Sequence, residues 1–182
     1  MDKFLSPSEV LKQLRLQKSM VAADFGCGSG GWVIPLARKL EEGKVYAIDI
    51  LEEPLSALKS KIKLDKILNI EIVKADVEKS TRLISESCSL VLMTNLLFEA
   101  EDIKNILKEG KRVLKKGGKI LVVDWKKETP FGPPKKVSPE EVKKIAEEIG
   151  LKLEKPSTRA ELGAGEFEAS AYHWGLILVK PR

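Results

Sequence analysis

The chain is poor in the side chains that bind metals or form disulfides. Its 182 residues include one histidine, His173, and two cysteines, Cys27 and Cys88, which stand far apart. A structural zinc site needs four such ligands, so we expect no metal site, and two distant cysteines make no disulfide framework. Free thiols are typical of a reducing compartment, and the sequence therefore predicts a cytoplasmic protein.

Long apolar runs are also missing. No stretch approaches the roughly 18–20 apolar residues that a membrane-spanning helix needs, and the N-terminal MDKFLSPSEV lacks the apolar core of a signal peptide. Apolar residues make up 43% of the chain and charged residues 32%, a composition typical of globular rather than disordered proteins. We expect a single domain over residues 1–182 and no membrane span.

Arginine is scarce for a basic protein. The net charge is +5 and the isoelectric point is near 9.1, yet six of the 32 basic residues are arginine and the rest are lysine. Proteins that bind phosphates and bases rely more on arginine. The charge therefore favours a solvated lysine-rich surface, and a protein or RNA partner stays open as an alternative.

The chain does contain short apolar strands that alternate with amphipathic helices, which indicates a parallel sheet with helices on both faces. The first helix is expected to begin at Ser6, with Glu9 completing a capping box. Two final strands, LKLEKP and HWGLILVK, have no helical pattern between them. We therefore predict five β/α units and a closing β-hairpin with one antiparallel strand; residues 155–170 between its strands could cover a cleft or be disordered.

Polar residues stand where each of the five predicted strands ends. They are four aspartates and one asparagine: Asp24, Asp49, Asp76, Asn95 and Asp124. Ligands of open α/β sheets bind outside the carboxyl ends of the strands. Any one of these residues could merely cap a loop, but five together favour a ligand site at this edge.

A glycine-rich loop follows the first strand. Glycine stands at every second position of the stretch VAADFGCGSG: Gly26, Gly28 and Gly30. With Gly31 the loop also satisfies the dinucleotide pattern G-x-G-x-x-G, which is a weak signal alone. Asp24 would repel a diphosphate by about 1–4 kcal/mol, whereas it would favour the sulfonium and ammonium of S-adenosylmethionine. We therefore predict S-adenosylmethionine as the ligand, and an NAD-linked oxidoreductase is disfavoured.

The following positions fit the same ligand. Asp49 can accept hydrogen bonds from both ribose hydroxyls, with Ile50 beside it, although this role would also fit NAD. Asp76 can accept from the adenine amino group, and Val77 either packs on the adenine ring or belongs to the core. Cys27 is expected to contribute its backbone rather than its thiol.

Five segments in order resemble the class I S-adenosylmethionine-dependent methyltransferases, and most of all the small ubiquinone- and menaquinone-biosynthesis type. The segments are VAADFGCGSG, VYAIDI, KADVEK, SLVLMTNLLFEA and LKKGGKILVVDWKK. The resemblance covers nearly the whole chain. It implies a Rossmann-like three-layer α/β/α fold, with a seven-stranded, mostly parallel sheet and an antiparallel C-terminal strand.

The resemblance also implies roles for individual residues. Gly26, Gly28 and Gly30 would line the methionine moiety, Asp49 would hold the ribose and Asp76 the adenine. Asn95 would lie near the methionine or the acceptor. After the fourth strand the chain reads Asn-Leu-Leu-Phe rather than the Asn/Asp-Pro-Pro-aromatic motif, which argues against methylation of DNA adenine or of glutamine amides.

The predicted reaction is in-line transfer of a methyl group to a small-molecule acceptor, with the reacting atoms held about 3–3.5 Å apart. Asn95 and His173 are the candidate catalytic residues. His173 would act as a base, as a hydrogen-bond donor that orients the acceptor, or only as a packed core residue. Residues 124–136 are a candidate rim. A protein or RNA acceptor, or a protein that binds the cofactor without catalysis, are the alternatives.

Overall fold

All strands of the computed structural model, which describes residues 4–155 and 165–182, belong to one sheet. The eight strands are β1 Val21–Phe25, β2 Lys44–Asp49, β3 Ile70–Lys74, β4 Cys88–Thr94, β5 Leu114–Trp125, β6 Lys152–Leu153, β7 Glu166–Glu168 and β8 His173–Val179. The five α-helices are α1 Pro7–Leu11, α2 Val33–Lys39, α3 Glu52–Leu64, α4 Ile103–Val113 and α5 Pro139–Glu148, and a 3₁₀ turn spans Leu97–Glu99.

The sheet runs in the order β3-β2-β1-β4-β5-β8-β6, and β1 to β5 are parallel. β8 is antiparallel to β5, as predicted, because its residues pair in reverse order with Lys119 to Trp125. β6 and β7 both pair with β8, β6 at Leu178 and Val179 and β7 at Trp174 to Leu176. The sheet therefore has seven strand positions, and the short β7 shares the last of them with β6.

Two apolar layers enclose the sheet, which confirms the Rossmann-like three-layer architecture. On one face, β-strand residues pack with Ile106 and Leu107 of α4 and Val142 of α5. On the other face, they pack with Leu36 of α2 and Leu58 of α3. Because both faces are covered, the inner strands are almost continuously apolar.

The helix starts follow the sequence signals in part. Ser138 accepts a hydrogen bond from the Glu141 backbone N–H at 3.3 Å and Pro139 is the first residue of α5, as such a motif predicts. Ser6 precedes α1 but makes no side-chain capping bond, so the predicted capping box is not formed. No helix in the described ranges is long and apolar enough to cross a membrane.

A buried carboxylate fixes the segment between β3 and β4 onto α4. Glu109 accepts from the backbone N–H of Thr81 at 2.7 Å and from its hydroxyl at 2.6 Å, and Arg112 donates to both Glu109 oxygens. Burial raises the pKa of Glu109, but these bonds outweigh it and lower the pKa to about 2. The segment that returns to β4 is therefore held at the end of the sheet opposite the strand carboxyl ends.

Candidate functional site

A cavity of about 880 Å³ lies at the carboxyl ends of β1 to β4. The strand order reverses between β1 and β4, so the cavity occupies the topological switch point where α/β sheets bind ligands. Eight predicted site residues line it: Gly26, Cys27, Gly28, Asp49, Ile50, Asp76, Val77 and Asn95. The structure thus brings most of the predicted site together, and places Asp24, Gly30 and His173 outside this lining.

The glycine loop adopts backbone conformations that other residues rarely take. The φ angles of Gly26, Gly28 and Gly30 are +69°, +52° and +93°, which lie in the region that glycine enters at little cost. A Cβ on Gly26 or Gly30 would lie 2.7 Å from Leu96 or 2.4 Å from Leu58, respectively, whereas one on Gly28 meets nothing within 4 Å. The loop therefore leaves open space above Gly28 on the cavity side.

Gly31 behaves differently from these three glycines. Its φ is not in the left-handed region, and an added Cβ would meet no atom within 4 Å. The constrained glycines are thus those of the G-x-G-x-G spacing. The G-x-G-x-x-G spacing of the dinucleotide pattern would require Gly31, and the geometry does not single it out.

Asp49 is oriented by two backbone groups at the end of β2. One oxygen accepts from the Gly28 N–H at 2.8 Å and the other from the Leu51 N–H at 3.0 Å. Each carboxylate oxygen has further lone-pair capacity, so both can still accept from a ligand in the cavity. The bond to Gly28 also ties the glycine loop to β2.

Asp76 lies two residues beyond the end of β3. One oxygen accepts from the Glu78 N–H at 3.0 Å, and the other lies 3.0 Å from the Lys79 ammonium. The hydrogen bond from Lys79 lowers the pKa of Asp76. The Lys79 side chain is 83% exposed, so a ligand amino group can share or replace it. Val77 is buried and also lines the cavity.

Asn95 follows β4 directly and takes a strained conformation. Its φ is +51°, which asparagine tolerates better than most residues, and its backbone N–H donates to the Val123 carbonyl at 2.8 Å. Its side-chain Oδ1 is buried and has no hydrogen-bond partner within the described ranges. An unpaired buried acceptor at a cavity wall is a candidate for bonding to a ligand.

Asp24 is fully buried in β1, and neither carboxylate oxygen has a hydrogen-bond partner among the described residues. Burial, with a further contribution from Asp49, raises its pKa well above the ordinary value. Burial also raises the pKa of the Cys27 thiol, with Asp24 and Asp49 adding to the effect. A cation beside these carboxylates would lower the cost of ionising Asp24.

Asp124 has a structural use that the sequence did not reveal. Its oxygens accept from the Leu97 N–H at 3.0 Å and the Trp125 N–H at 2.8 Å, so it holds the 3₁₀ turn that follows β4. Burial raises its pKa to about 6. It does not line the cavity, so this strand-end aspartate fixes the backbone that carries other cavity residues.

His173 lies at the start of β8, at the predicted edge of the sheet, but its side chain is 4% exposed and absent from the cavity lining. Its ring centroid is 4.1 Å from that of Trp125. Nδ1 lies 2.9 Å from the Ser170 hydroxyl, and Nε2 is buried with no partner in the described part of the chain. Burial, with a contribution from Lys126, lowers the pKa of His173 to about 4.

Sequence reasoning missed an acidic wall formed by Glu78, Glu99, Glu101 and Asp102, all of which line the cavity. Glu78 accepts from the backbone N–H groups of Glu101 and Asp102, each at 2.9 Å. Asp102 also caps α4 by accepting from the Asn105 N–H at 3.0 Å. The acid-rich run EAED between β4 and α4 was the signal available in the sequence.

The cavity is therefore acidic although the chain is basic overall. Its described lining carries the acidic wall together with Asp49 and Asp76, against a single lysine, Lys79, which is paired with Asp76. The proposed rim, residues 124–136, is outside the lining, although Lys135 of this segment donates to the Ala100 carbonyl at 2.8 Å. Such a cavity favours a ligand with positive charge and hydroxyl or amino donors.

Comparison with known proteins first defines the fold. A solved structure of a SAM-dependent methyltransferase from Aquifex aeolicus superposes with a TM-score of 0.85 at 28% identity, covering 98% of this chain and 91% of that one. The [4+2]-cyclase SpnF superposes with a TM-score of 0.76 at 12% identity, covering 96% and 80%. Because proteins with different chemistry share it, the fold alone does not fix the reaction.

Comparison then defines the family. The model of a methyltransferase domain family matches residues 23–122, which is more than half of the chain. A demethylmenaquinone methyltransferase of Geobacillus stearothermophilus is 30% identical over 125 residues, which are 68% of this chain. The chain belongs to this methyltransferase domain family, and it spans 53% of the length of the Geobacillus relative.

Proposed function

We propose that the protein is an S-adenosylmethionine-dependent methyltransferase acting on a small-molecule acceptor. The observation that carries the proposal is the acidic cavity at the switch point, whose glycine loop has the G-x-G-x-G geometry, in a chain of the methyltransferase domain family. When bound, S-adenosylmethionine supplies an electrophilic methyl group on a sulfonium centre. A diphosphate would meet several carboxylates in the same cavity.

We assign the cofactor's parts to residues from their positions and free hydrogen-bonding capacity. Asp49 would accept from the ribose hydroxyls, because both of its oxygens are already oriented by backbone N–H groups. Asp76 would accept from the adenine amino group, with Val77 against the ring, and Ile50 is a further proposed cofactor-binding residue. The proposed ligands of the methionine moiety are the loop residues and the buried aspartate: Asp24, Gly26, Cys27, Gly28 and Gly30.

Asn95 and His173 are proposed to act on the acceptor side. The unpaired Oδ1 of Asn95 would accept from the acceptor or from the methionine ammonium. A pKa of about 4 makes His173 a weak base at neutral pH, so we assign it an orienting role. If the Ser170 hydroxyl donates to Nδ1, Nε2 bears the proton and is a donor. Full turnover of His173→Ala would contradict this role.

A small-molecule acceptor is supported by the Geobacillus relative, which is named for a small acceptor, demethylmenaquinone. A protein or RNA acceptor is the alternative. Among these, the acidic cavity disfavours polyanions such as RNA. We also propose that residues 1–182 form one domain, which the single sheet shared by all described strands supports. The two buried free cysteines support a cytoplasmic location.

Thermal unfolding tests the cofactor assignment. A ligand at 100 times its dissociation constant adds about 2.7 kcal/mol to the free energy of unfolding. We expect S-adenosylmethionine and its demethylated product to raise the melting temperature, and NAD to leave it unchanged. Asp49→Asn should abolish most of the shift, whereas Asp65→Asn, an exposed aspartate paired with Arg38, should retain it. A shift with NAD alone would refute the assignment.

Turnover separates an enzyme from a cofactor-binding protein. The purified protein with S-adenosylmethionine would be supplied with small aromatic and amine acceptors, with protein extract and with RNA, and the demethylated cofactor measured. We expect its release with a small molecule. Cofactor binding without release in any arm would favour the non-catalytic alternative.

A further inference from the structure

Asp24 combines complete burial with the absence of any hydrogen-bond partner in residues 4–155 and 165–182. It is 0% exposed, and both carboxylate oxygens are unpaired. Its strand neighbours in register are Ala47 of β2 and Leu92 of β4, which offer no side-chain donor. A carboxylate in such surroundings is costly, because no described side-chain or backbone donor offsets the loss of hydration.

Neither titratable group that interacts with Asp24 in the described chain stabilises its negative charge. Asp49, at the end of the neighbouring β2, is an acid. The Cys27 thiol on the adjoining loop is neutral, since burial raises its pKa. Beside Asp24 there is thus a like charge and a neutral thiol, so the protonated carboxyl is the favoured form before a cation binds.

Asp24 nonetheless interacts electrostatically with groups that line the cavity. Gly26, two residues along the chain, and Asp49 both line the cavity, and the charge of Asp49 acts on Asp24. A positive charge in this low-dielectric environment acts strongly on a buried acid. It would favour the carboxylate and expel the proton to solvent.

We propose that Asp24 determines ligand specificity by charge: it is a neutral acid in the ligand-free protein and gives up one proton to solvent when a sulfonium ligand binds. The inference rests on the proposed function and deepens it. Transfer of the methyl group removes the sulfonium charge, so Asp24 takes a proton back from solvent and the hold on the spent cofactor weakens. The residue thereby favours exchange of product for fresh donor.

Isothermal titration calorimetry measures the proton directly. Binding heats at pH 7 would be compared in phosphate and Tris, whose ionisation enthalpies differ, for S-adenosylmethionine and S-adenosylhomocysteine. We expect a release approaching one proton for the sulfonium ligand and clearly less for the thioether. Asp24→Asn should release none, whereas Asp65→Asn, the same change on an exposed residue, should match the parent protein.

Equal proton release by the two ligands, no release, or undiminished release from Asp24→Asn would each overturn the inference while leaving the cofactor assignment intact. Carbon NMR of the aspartate carboxyls in the ligand-free protein gives a second measurement, with the Asp24 signal identified by its loss in Asp24→Asn. An Asp24 carboxyl already ionised at pH 7 refutes the inference even if that variant folds poorly. If the protein binds neither ligand, the proposed function is refuted, and so is the proposed role of Asp24 in ligand specificity.

Discussion

Asp24 and Asp124 are both fully buried aspartates near the carboxyl ends of inner strands, yet they differ in every hydrogen bond. Asp124 accepts from the Leu97 and Trp125 backbone N–H groups, whereas neither oxygen of Asp24 has a partner in the part of the chain that the structure describes. Backbone donors offset the burial of Asp124, and no described group does so for Asp24. The same sequence signal, an aspartate at a strand end, thus marks a scaffold residue in one place and the residue that we propose to respond to the ligand's charge in the other.

Replacing each aspartate by alanine should give the largest difference. Asp124→Ala leaves two buried N–H groups without an acceptor, at a cost of about 1–3 kcal/mol each. We therefore expect the free energy of unfolding to fall by about 2–6 kcal/mol. Asp24→Ala removes an unpaired buried polar group and should not lower it. Urea denaturation of the two variants measures both. Similar losses in the two would show that Asp24 is a scaffold residue as well.

The glycine loop beside Asp24 offers the next largest effect. Gly30→Ala forces a Cβ into a left-handed backbone against Leu58, and we expect a loss of about 1–3 kcal/mol in the free energy of unfolding, with weaker cofactor binding. Gly31→Ala is the matched control, since its Cβ would enter open space. Thermal unfolding with and without S-adenosylmethionine tests both. A larger loss of stability in Gly31→Ala than in Gly30→Ala would favour the G-x-G-x-x-G dinucleotide pattern, which requires Gly31.

The pH dependence of stability sharpens the comparison without any ligand. Since the folded-state pKa of Asp24 is raised above its ordinary 3.8, the folded chain keeps a proton that the unfolded chain loses as pH rises. The stability that this proton provides is full below pH about 4 and is lost at higher pH. Relative to the parent, Asp24→Asn should therefore gain about 1.4 kcal/mol per pH unit above pH 4, until the pH reaches the raised pKa.

Denaturant titrations of both proteins between pH 5 and pH 7 measure this difference. Asp65→Asn should show no such trend, because Asp65 is exposed and paired at the surface. A constant difference between Asp24→Asn and the parent over this range would mean that Asp24 is ionised throughout.

Asn95 should give the smallest change in stability. Asn95→Gly relieves the positive φ and removes the unpaired amide oxygen, so we expect the free energy of unfolding to change by less than about 1 kcal/mol. Turnover should nevertheless fall at least about tenfold, the equivalent of one lost hydrogen bond of about 1.4 kcal/mol. Unimpaired turnover would show that the Oδ1 atom does not contact cofactor or acceptor.

The fold and eight of the residues that line the cavity could be predicted because their signals are local. Alternating apolar strands and helices determine the layers, and the glycines at positions 26, 28 and 30 indicate a backbone that only they enter easily. Tertiary structure decides which of the buried aspartates accepts hydrogen bonds from backbone N–H groups. Asp124 accepts from the N–H of Leu97, which is 27 residues away in the sequence. The burial of His173 likewise depends on Trp125, which no pattern near His173 specifies.

Other differences have the same origin. β7 has three residues and pairs with the part of β8 that β6 does not cover, which is a tertiary contact. The intervening residues 156–164, part of the segment for which the sequence left two alternatives, lie outside the described residues. The acidity of the cavity was hidden by the net positive charge of the chain, because lysines occupy the outer helical faces.

The single side chain of Glu78 has a consequence for access to the cavity. It joins the segment after β3 to the residues that precede α4 through two charged hydrogen bonds. Separating these two segments would break both bonds at once. The cavity should therefore stay closed on the side where Glu78 meets Glu101 and Asp102. A ligand would then enter past Ile50 and Leu51, which are 56% and 61% exposed. Its first contact with the protein would be an exposed apolar surface rather than a charged side chain.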